Sequence, residues 1–422
     1  MHTELSPDYA GSADGEAARA LLQKCVHCGF CTATCPTYQL LGDELDGPRG
    51  RIYQIKNLLE GEAPTRETQQ HLDRCLTCRS CETTCPSGVQ YGALVEIGRR
   101  LVDARVERPA AERATRWLLK EGLTSALFAP ALQVGQALRP LLPETLQAKV
   151  PERRKADPRG WPQRRHARRM LLLAGCVQPA MSPEINPATA RVLDAAGIEA
   201  VVAPGAGCCG AIRAHLNDRD GGLADMRRNI DAWWPAVSRG EVEAIVMNAS
   251  GCGTTVKEYG QALAHDADYA EKAARISALT RDLSELLPGI VEALGPRLKA
   301  DSAGPGTGTE AGPVAYHPPC SLQHGQQLKG GVEAAFRGLG IDIRVAAGES
   351  HLCCGSAGTY SVLQPELSHQ LRDRKIGHLD AMQPQVILSA NIGCIQHLQS
   401  GTATPVKHWV EWLDERLAEQ AG

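Results

Sequence analysis

The chain has 422 residues, a formal net charge of −3 and sixteen cysteines. That length exceeds what one ordinary core organises and implies two or three domains. The acidic balance argues against a nucleic-acid binder, which carries a basic excess, and no stretch approaches the ~20 apolar residues that span a bilayer. Met1–Ala20 is acidic and lacks an apolar core segment, so no signal peptide is expected. The cysteines fall into metal-ligand spacings, which suits reduced thiols in the cytoplasm better than a disulfide framework.

Residues 15–105 read as a helical ferredoxin domain. Helices are expected over Gly15–Lys24, over Arg51–Glu60 with Ile52, Ile55, Leu58 and Leu59 at helical spacing, and over Leu94–Val106. Between them lie two copies of one pattern: Cys25-x2-Cys28-x2-Cys31-x3-Cys35-Pro36 and Cys75-x2-Cys78-x2-Cys81-x3-Cys85-Pro86. This is the bacterial ferredoxin signature for a [4Fe–4S] cluster, in which the fourth cysteine ligates the other cluster. One cluster is therefore assigned to Cys25, Cys28, Cys31 and Cys85, and the second to Cys75, Cys78, Cys81 and Cys35. Structural zinc is the alternative, although zinc sites are normally built from two separated CxxC arms. His27 and His71 stand near these ligands in second-shell or incidental roles, and Arg49 and Arg51 either contact the clusters or face solvent.

Residues 106–168 form a partly helical linker, with helices expected over Ala114–Lys120 and Leu132–Leu138. Its end is rich in proline and arginine. Arg164, Arg165, Arg168 and Arg169 with His166 read as a solvated run, or as a contact for anionic lipid or an acidic partner.

The remainder repeats itself. The first unit, 169–300, has strand Met170–Ala174 leading to Gly175-Cys176, a helix around Ala188–Ala196, and strand Ile198–Ala203 leading to Cys208-Cys209-Gly210. A helical region, His215–Val237, and strand Ala244–Asn248 then lead to Cys252. Trp233-Trp234 in that helical region suits an interface anchor or packing against the sheet. A Gly/Thr-rich linker, 301–313, precedes the second unit, 314–422. There strand Val314–His317 leads to Cys320, helix Gly331–Leu339 to strand Ile341–Ala346 and Cys353-Cys354-Gly355, and helix Glu366–Ala381 to strand Val386–Ala390 and Cys394. Strand–helix alternation implies a parallel α/β sheet in each unit. Cysteines that follow strands collect at the carboxyl edge of such a sheet, where ligands bind.

Cys176, Cys208, Cys209 and Cys252, and likewise Cys320, Cys353, Cys354 and Cys394, are thus candidate additional metal sites. Three readings stay open for them: further [4Fe–4S] clusters, zinc, or vicinal thiols that are redox-active or simply packed. No strand–GxGxxG–helix fingerprint, P-loop or nucleophile elbow is present, so no flavin or nicotinamide site is expected on this chain.

The C…CC-G…C units resemble the CCG domains of the heterodisulfide reductase B family. Thr255 and His397 stand where that family's fifth cysteine would be, which leaves His397 as an alternative ligand. The whole chain resembles the iron–sulfur subunits of bacterial glycolate oxidase. The closest stretches are Cys25–Ile52, Asn229–Pro235 and His351–Tyr360. The resemblance implies an electron-transfer subunit that relays single electrons from FAD-binding glycolate oxidase subunits to a quinone or another acceptor, peripheral on the inner membrane through its complex. Equivalent subunits of glycerol-3-phosphate or lactate dehydrogenases share this architecture. A catalytic thiol or disulfide reductase using the CCG cysteines is the other class of function.

Overall fold

The computed structural model describes residues 1–141, 143, 151–152, 157–300 and 313–419. Among the described residues no strand precedes Arg168, so the N-terminal part is all helical. Its helices are α1 (Ala13–Gln23), α2 (Phe30–Ala33), α3 (Pro36–Leu41), α4 (Pro48–Leu59), α5 (Arg66–Asp73), α6 (Ser80–Thr84) and α7 (Tyr91–Asp103). The Ser12 hydroxyl accepts the Gly15 N–H at 3.1 Å and caps α1. Pro48 opens α4, where its missing N–H costs nothing. Ile52, Ile55, Leu58 and Leu59 of α4 pack with Leu94, Val95, Ile97 and Val102 of α7 in one core. The two helices approach closely at Gly98, where a Cβ would lie 2.6 Å from Ile55 Cγ1.

Helices α8 (Ala110–Thr124) and α9 (Phe128–Leu138) follow, and neither contains a buried residue. Charge rather than apolar burial ties α8 down. Arg116 pairs with Asp73 at 3.1 Å and Glu112 with Arg66 and buried Arg108, while Glu121 and Lys120 reach Arg213 and Asp218 at 2.8 and 3.1 Å. The basic run beyond is also largely paired. Arg168 meets Glu243 at 2.8 Å and His166 meets Asp194 at 2.8 Å, which favours the solvated-run reading.

Two four-stranded sheets follow, with orders β2-β1-β3-β4 and β6-β5-β7-β8, every pairing parallel. The strands are β1 (Arg168–Leu172), β2 (Ile198–Val201), β3 (Ala244–Met247), β4 (Thr280–Asp282), β5 (Val314–Tyr316), β6 (Ile343–Val345), β7 (Val386–Ser389) and β8 (Val406–His408). Central β3 and β7 are buried at every position, as strands covered on both faces must be. The outer strands β4 and β8 were not anticipated, because three residues such as Thr280-Arg281-Asp282 carry no apolar run. The edge strand expected over Ile341–Ala346 is shorter, Ile343–Val345. The linker expected at 301–313 lies outside the described residues apart from Pro313.

The alternation of β1 divides its side chains between two cores. Leu171 and Leu173 pack with Trp233 and Tyr259, whose rings stack at 6.5 Å. Trp233 is therefore packing within the first unit and not an exposed anchor. Met170 and Leu172 enter a larger core that also contains Tyr316, Phe336, Leu388 and Trp409, so the two sheets share one apolar interior. Polar contacts reinforce that joint. The Ser250 N–H donates to Ala390 O at 3.0 Å, and Arg191 pairs with buried Asp414 at 2.7 Å.

His408, at the end of β8, belongs to the same joint. Its Nε2 lies 2.9 Å from Asn248 O in the first unit, and its Nδ1 accepts the Val410 N–H at 3.0 Å. That pattern requires a neutral ring, and burial depresses its pKa to about 3. Between the ordinary value of about 6.5 and about 3, the unfolded chain binds a proton that the folded chain refuses. Stability contributed by His408 is thus complete above about pH 6.5 and is lost as pH falls, at about 1.4 kcal/mol per pH unit. Urea midpoints measured from pH 7 to 5 should therefore fall less steeply for His408→Gln than for the unaltered chain; equal slopes would contradict this role.

Candidate metal centres

The two N-terminal cysteine loops share one backbone path. The second residue after the first cysteine is left-handed in both, His27 at φ 58° and Thr77 at φ 52°. So is the fourth, Gly29 at φ 83° and Arg79 at φ 59°. A β-branched Thr77 in this region is uncommon, and such strain persists only where the surroundings enforce it. The path lets three thiols of one loop line one cavity. Cys25, Cys28, Cys31 and Cys85 line one cavity, and Cys35, Cys75, Cys78 and Cys81 line a neighbouring one. Cys81 borders both. Cys35 stands immediately before α3 and Cys85 immediately after α6, so each exchanged thiol is delivered by a helix end.

All sixteen cysteines are free thiols. Burial pushes Cys31 up to about 11, with the charge of Cys25 and then those of Cys85 and Cys28 adding to it. Burial likewise raises Cys78 and Cys81, helped by neighbouring sulfurs. Bare thiolates are therefore disfavoured here, and a bound cationic centre is what would make them stable. The donor set fits an iron–sulfur cluster in each cavity.

Arg51 lines the second cavity, and Arg99 holds the second loop. Arg51 is fully buried: its Nε donates to His71 O at 2.6 Å, and its guanidinium lies 3.1 Å from Thr37 Oγ1 and 3.3 Å from the Asp46 carboxylate. Burial opposes its charge, but Tyr91, Cys75, Cys35 and Asp46 outweigh it and hold the group protonated. Arg99 donates to Leu72 O at 2.8 and 3.0 Å, to Cys75 O at 2.5 Å and to Thr77 Oγ1 at 3.1 Å. Arg49 instead pairs with Glu44 at 2.6 Å and is about one-third exposed. His27 is exposed and packs against Tyr53, whereas His71 is half-buried beside Asp46 at 3.1 Å.

In the repeats, Cys176, Cys208, Cys320 and Cys353 follow strands as expected, and the thiols of each unit meet. Cys208 is in contact with Cys176 and Cys209, and Cys209 with Cys252. Donation from Cys176 and Cys209, with the N–H groups of Gly210 and Ile212, outweighs burial and lowers Cys208 to about 3. In the second unit Cys320 and Cys353 are 3.8 Å apart, and Cys354 contacts Cys353 and Cys394. Both CCG turns are alike: the Gly210 and Gly355 N–H groups lie 3.4 Å from Cys208 and Cys353 Sγ, with φ of 95° and 91°. Neither residue at the fifth-cysteine position joins the thiols. Thr255 Oγ1 donates to Gly251 O at 3.2 Å, and His397 Nε2 faces Ser368 Oγ and O at 3.1 and 3.2 Å. The histidine that does approach them is His317, within 4.8 Å of Cys354 and Cys394, which sequence reasoning passed over as the end of a strand.

The second loop docks against the second unit. Leu76 and Cys78 pack with Cys320, Cys353, Tyr360, Leu367 and Leu371. Thr83 Oγ1 meets His324 Nδ1 at 2.9 Å, and the Tyr360 hydroxyl donates to Arg74 O at 3.2 Å. Arg79 crosses to Glu258 of the first unit at 2.9 Å. Cys28, by contrast, is exposed.

Residues 21–89 match the 4Fe-4S dicluster domain family, and residues 170–257 and 314–399 each match the cysteine-rich domain family. The glycolate oxidase iron–sulfur subunit of Escherichia coli (strain K12) is 52% identical over 427 aligned residues, covering all of both chains. The chain belongs to the glycolate oxidase iron–sulfur subunit family. A probable glycolate oxidase iron–sulfur subunit of Bacillus subtilis (strain 168) is 30% identical over 90% of this chain and 89% of its own. Lactate utilization protein A of Geobacillus thermodenitrificans is 26% identical but aligns with only 59% of this chain. The match to this family runs along the full length, and the thiol groups above are where its iron–sulfur chemistry can reside.

Arg51→Leu strips a buried ion pair of one partner and should cost about 3–5 kcal/mol in urea unfolding; a loss below 1 kcal/mol would show the pair to be incidental. A Cβ at Gly355 would meet Ser368 O at 2.4 Å, whereas one at left-handed Gly330 meets nothing within 4 Å. Gly330→Ala should cost only about 1 kcal/mol of backbone strain, and Gly355→Ala clearly more, as read from thermal unfolding.

Proposed function

We propose that this chain is the electron-transfer subunit of a glycolate-oxidising flavoenzyme complex. It would relay single electrons from FAD-bearing partner subunits toward a quinone-type acceptor. The observation that carries this reading is the pair of adjacent four-thiol cavities, one lined by exposed Cys28 and the other by Cys78, which packs against the second unit. Full-length identity with the E. coli subunit supports glycolate as the substrate of the complex. The lactate relative aligns with little more than half of the chain and does not favour lactate.

The chain's own residues would bind, orient and insulate. Cys25, Cys28, Cys31 and Cys85 would hold one [4Fe–4S] cluster, and Cys75, Cys78, Cys81 and Cys35 the other. When bound, such clusters accept and release one electron each at potentials set by their protein surroundings. Arg51 and Arg99 place fixed positive charge against the second thiol set, and Arg49 lines the first cavity. Leu76 and Tyr360 are buried together where the second loop meets the second unit. Because Cys35 and Cys85 exchange between loops, neither cluster could be assembled without folding both. The partner subunits would remove an electron pair from glycolate to give glyoxylate, and this chain would then carry the electrons away one at a time.

Anaerobic iron analysis with electron paramagnetic resonance tests the assignment. About eight irons per chain are expected for the two cavities, and about twelve if the first unit's Cys176, Cys208, Cys209 and Cys252 hold a further cluster. In the assembled complex, Cys85→Ser should perturb the signal of the cluster held by Cys25, Cys28 and Cys31 and slow glycolate-dependent dye reduction. An unaltered rate with that cluster missing would rule out the relay.

A further inference from the structure

His317 is buried to 1% exposure, yet neither of its ring nitrogens has a hydrogen-bond partner. Buried imidazole nitrogens are almost always satisfied, because leaving them unpaired forfeits their hydration. The backbone around the ring is in order: the His317 N–H donates to Leu388 O at 2.8 Å and its carbonyl accepts from Ser389 Oγ at 3.0 Å. Only the side chain is left without a partner. One of its ring nitrogens lies with the Cys354 and Cys394 sulfurs so that all three atoms fall within 4.8 Å of one another, and all three residues are buried.

We propose that His317, Cys354 and Cys394 are three ligands of a buried zinc ion in the second cysteine-rich unit. A tetrahedral zinc with bonds of about 2.3 Å to sulfur and about 2.0–2.1 Å to nitrogen spaces its ligand atoms by roughly 3.5–3.8 Å. The observed triangle can close to that with small rotamer shifts. Cys353, whose thiol contacts that of Cys354, supplies the fourth ligand and completes a Cys3His set. Cys320 remains on the side of Cys78.

The first unit cannot repeat this site. Three residues before Cys176, where His317 stands before Cys320, is Leu173, which packs into the apolar core with Trp233 and Met247. The two units therefore differ in metal chemistry although their cysteine spacings agree. Zinc has no redox chemistry, so the ion would fix the surface on which the second cluster loop docks without drawing electrons from it. This inference is independent of what the N-terminal clusters transfer.

The test is zinc and iron content of the anaerobically purified full-length chain, with zinc-edge X-ray absorption. One zinc per chain is expected beside the cluster iron, with a nitrogen in its first shell at about 2.0–2.1 Å. His317→Leu, which copies the first unit, should lose the zinc and keep the cluster iron and its paramagnetic signal. His317→Cys should retain zinc in an all-sulfur shell. Absence of zinc from the unaltered chain, an all-sulfur shell there, or full zinc in His317→Leu would each overturn the proposal. Should His317→Leu fail to fold, the shell of the unaltered chain and the zinc content of His317→Cys still decide it.

Discussion

Buried sulfur is the constraint around which this molecule is built. Sixteen thiols gather in four groups, and with all but Cys28 buried or half-buried, each group places potential negative charge where water screens it poorly. Desolvated thiolates repel one another, so such groups survive only with positive charge or donors close by. The N-terminal groups recruit Arg51 and Arg99 from α4 and α7, and the repeats use N–H groups of the CCG turns. Bound metal would supply the rest. The same requirement explains why Arg51, an always-charged side chain, can lie entirely inside the protein: sulfur, a tyrosine and a carboxylate surround it.

Architecture follows from the need to bring these thiols together. Parallel strands deliver sequence-distant cysteines to one edge of each sheet, and short helices deliver the rest. The sheets then join back to back through Met170, Leu172, Tyr316 and Trp409 in a single core. The helical region closes over the second unit's cysteine edge through Leu76, Tyr360 and Leu371. Contact with the first unit includes ion pairs, as in Arg79–Glu258 and Glu121–Arg213.

Much of this was legible in the sequence because cysteine spacing and apolar runs are local signals. The helices around the paired loops, the three apolar strands of each unit and the grouping of thiols all follow from such patterns. Strands β4 and β8 were not legible, since their pairing is fixed by the neighbouring sheet edge and not by their own composition. Arg51 and Arg99 carried no local mark of burial; their partners are backbone carbonyls and side chains up to 27 positions away. His317 was hidden for a similar reason. In sequence it ends an apolar run before two prolines, and only the arrival of Cys354 and Cys394 gives its ring a neighbourhood. His397 had the better position by spacing, but a turn of helix aims it at Ser368 instead.

The seal between Arg74 and Tyr360 joins residues 286 positions apart. During synthesis the second cysteine loop leaves the ribosome long before Tyr360, Leu367 and Leu371 exist to cover it. Domains generally fold in the order in which they emerge, so this loop must wait, uncovered, while both sheets are made. Its sulfurs are open to iron–sulfur assembly factors, and equally to oxygen, for most of that interval. The later-made second unit thus closes over a loop whose thiols are translated well before it.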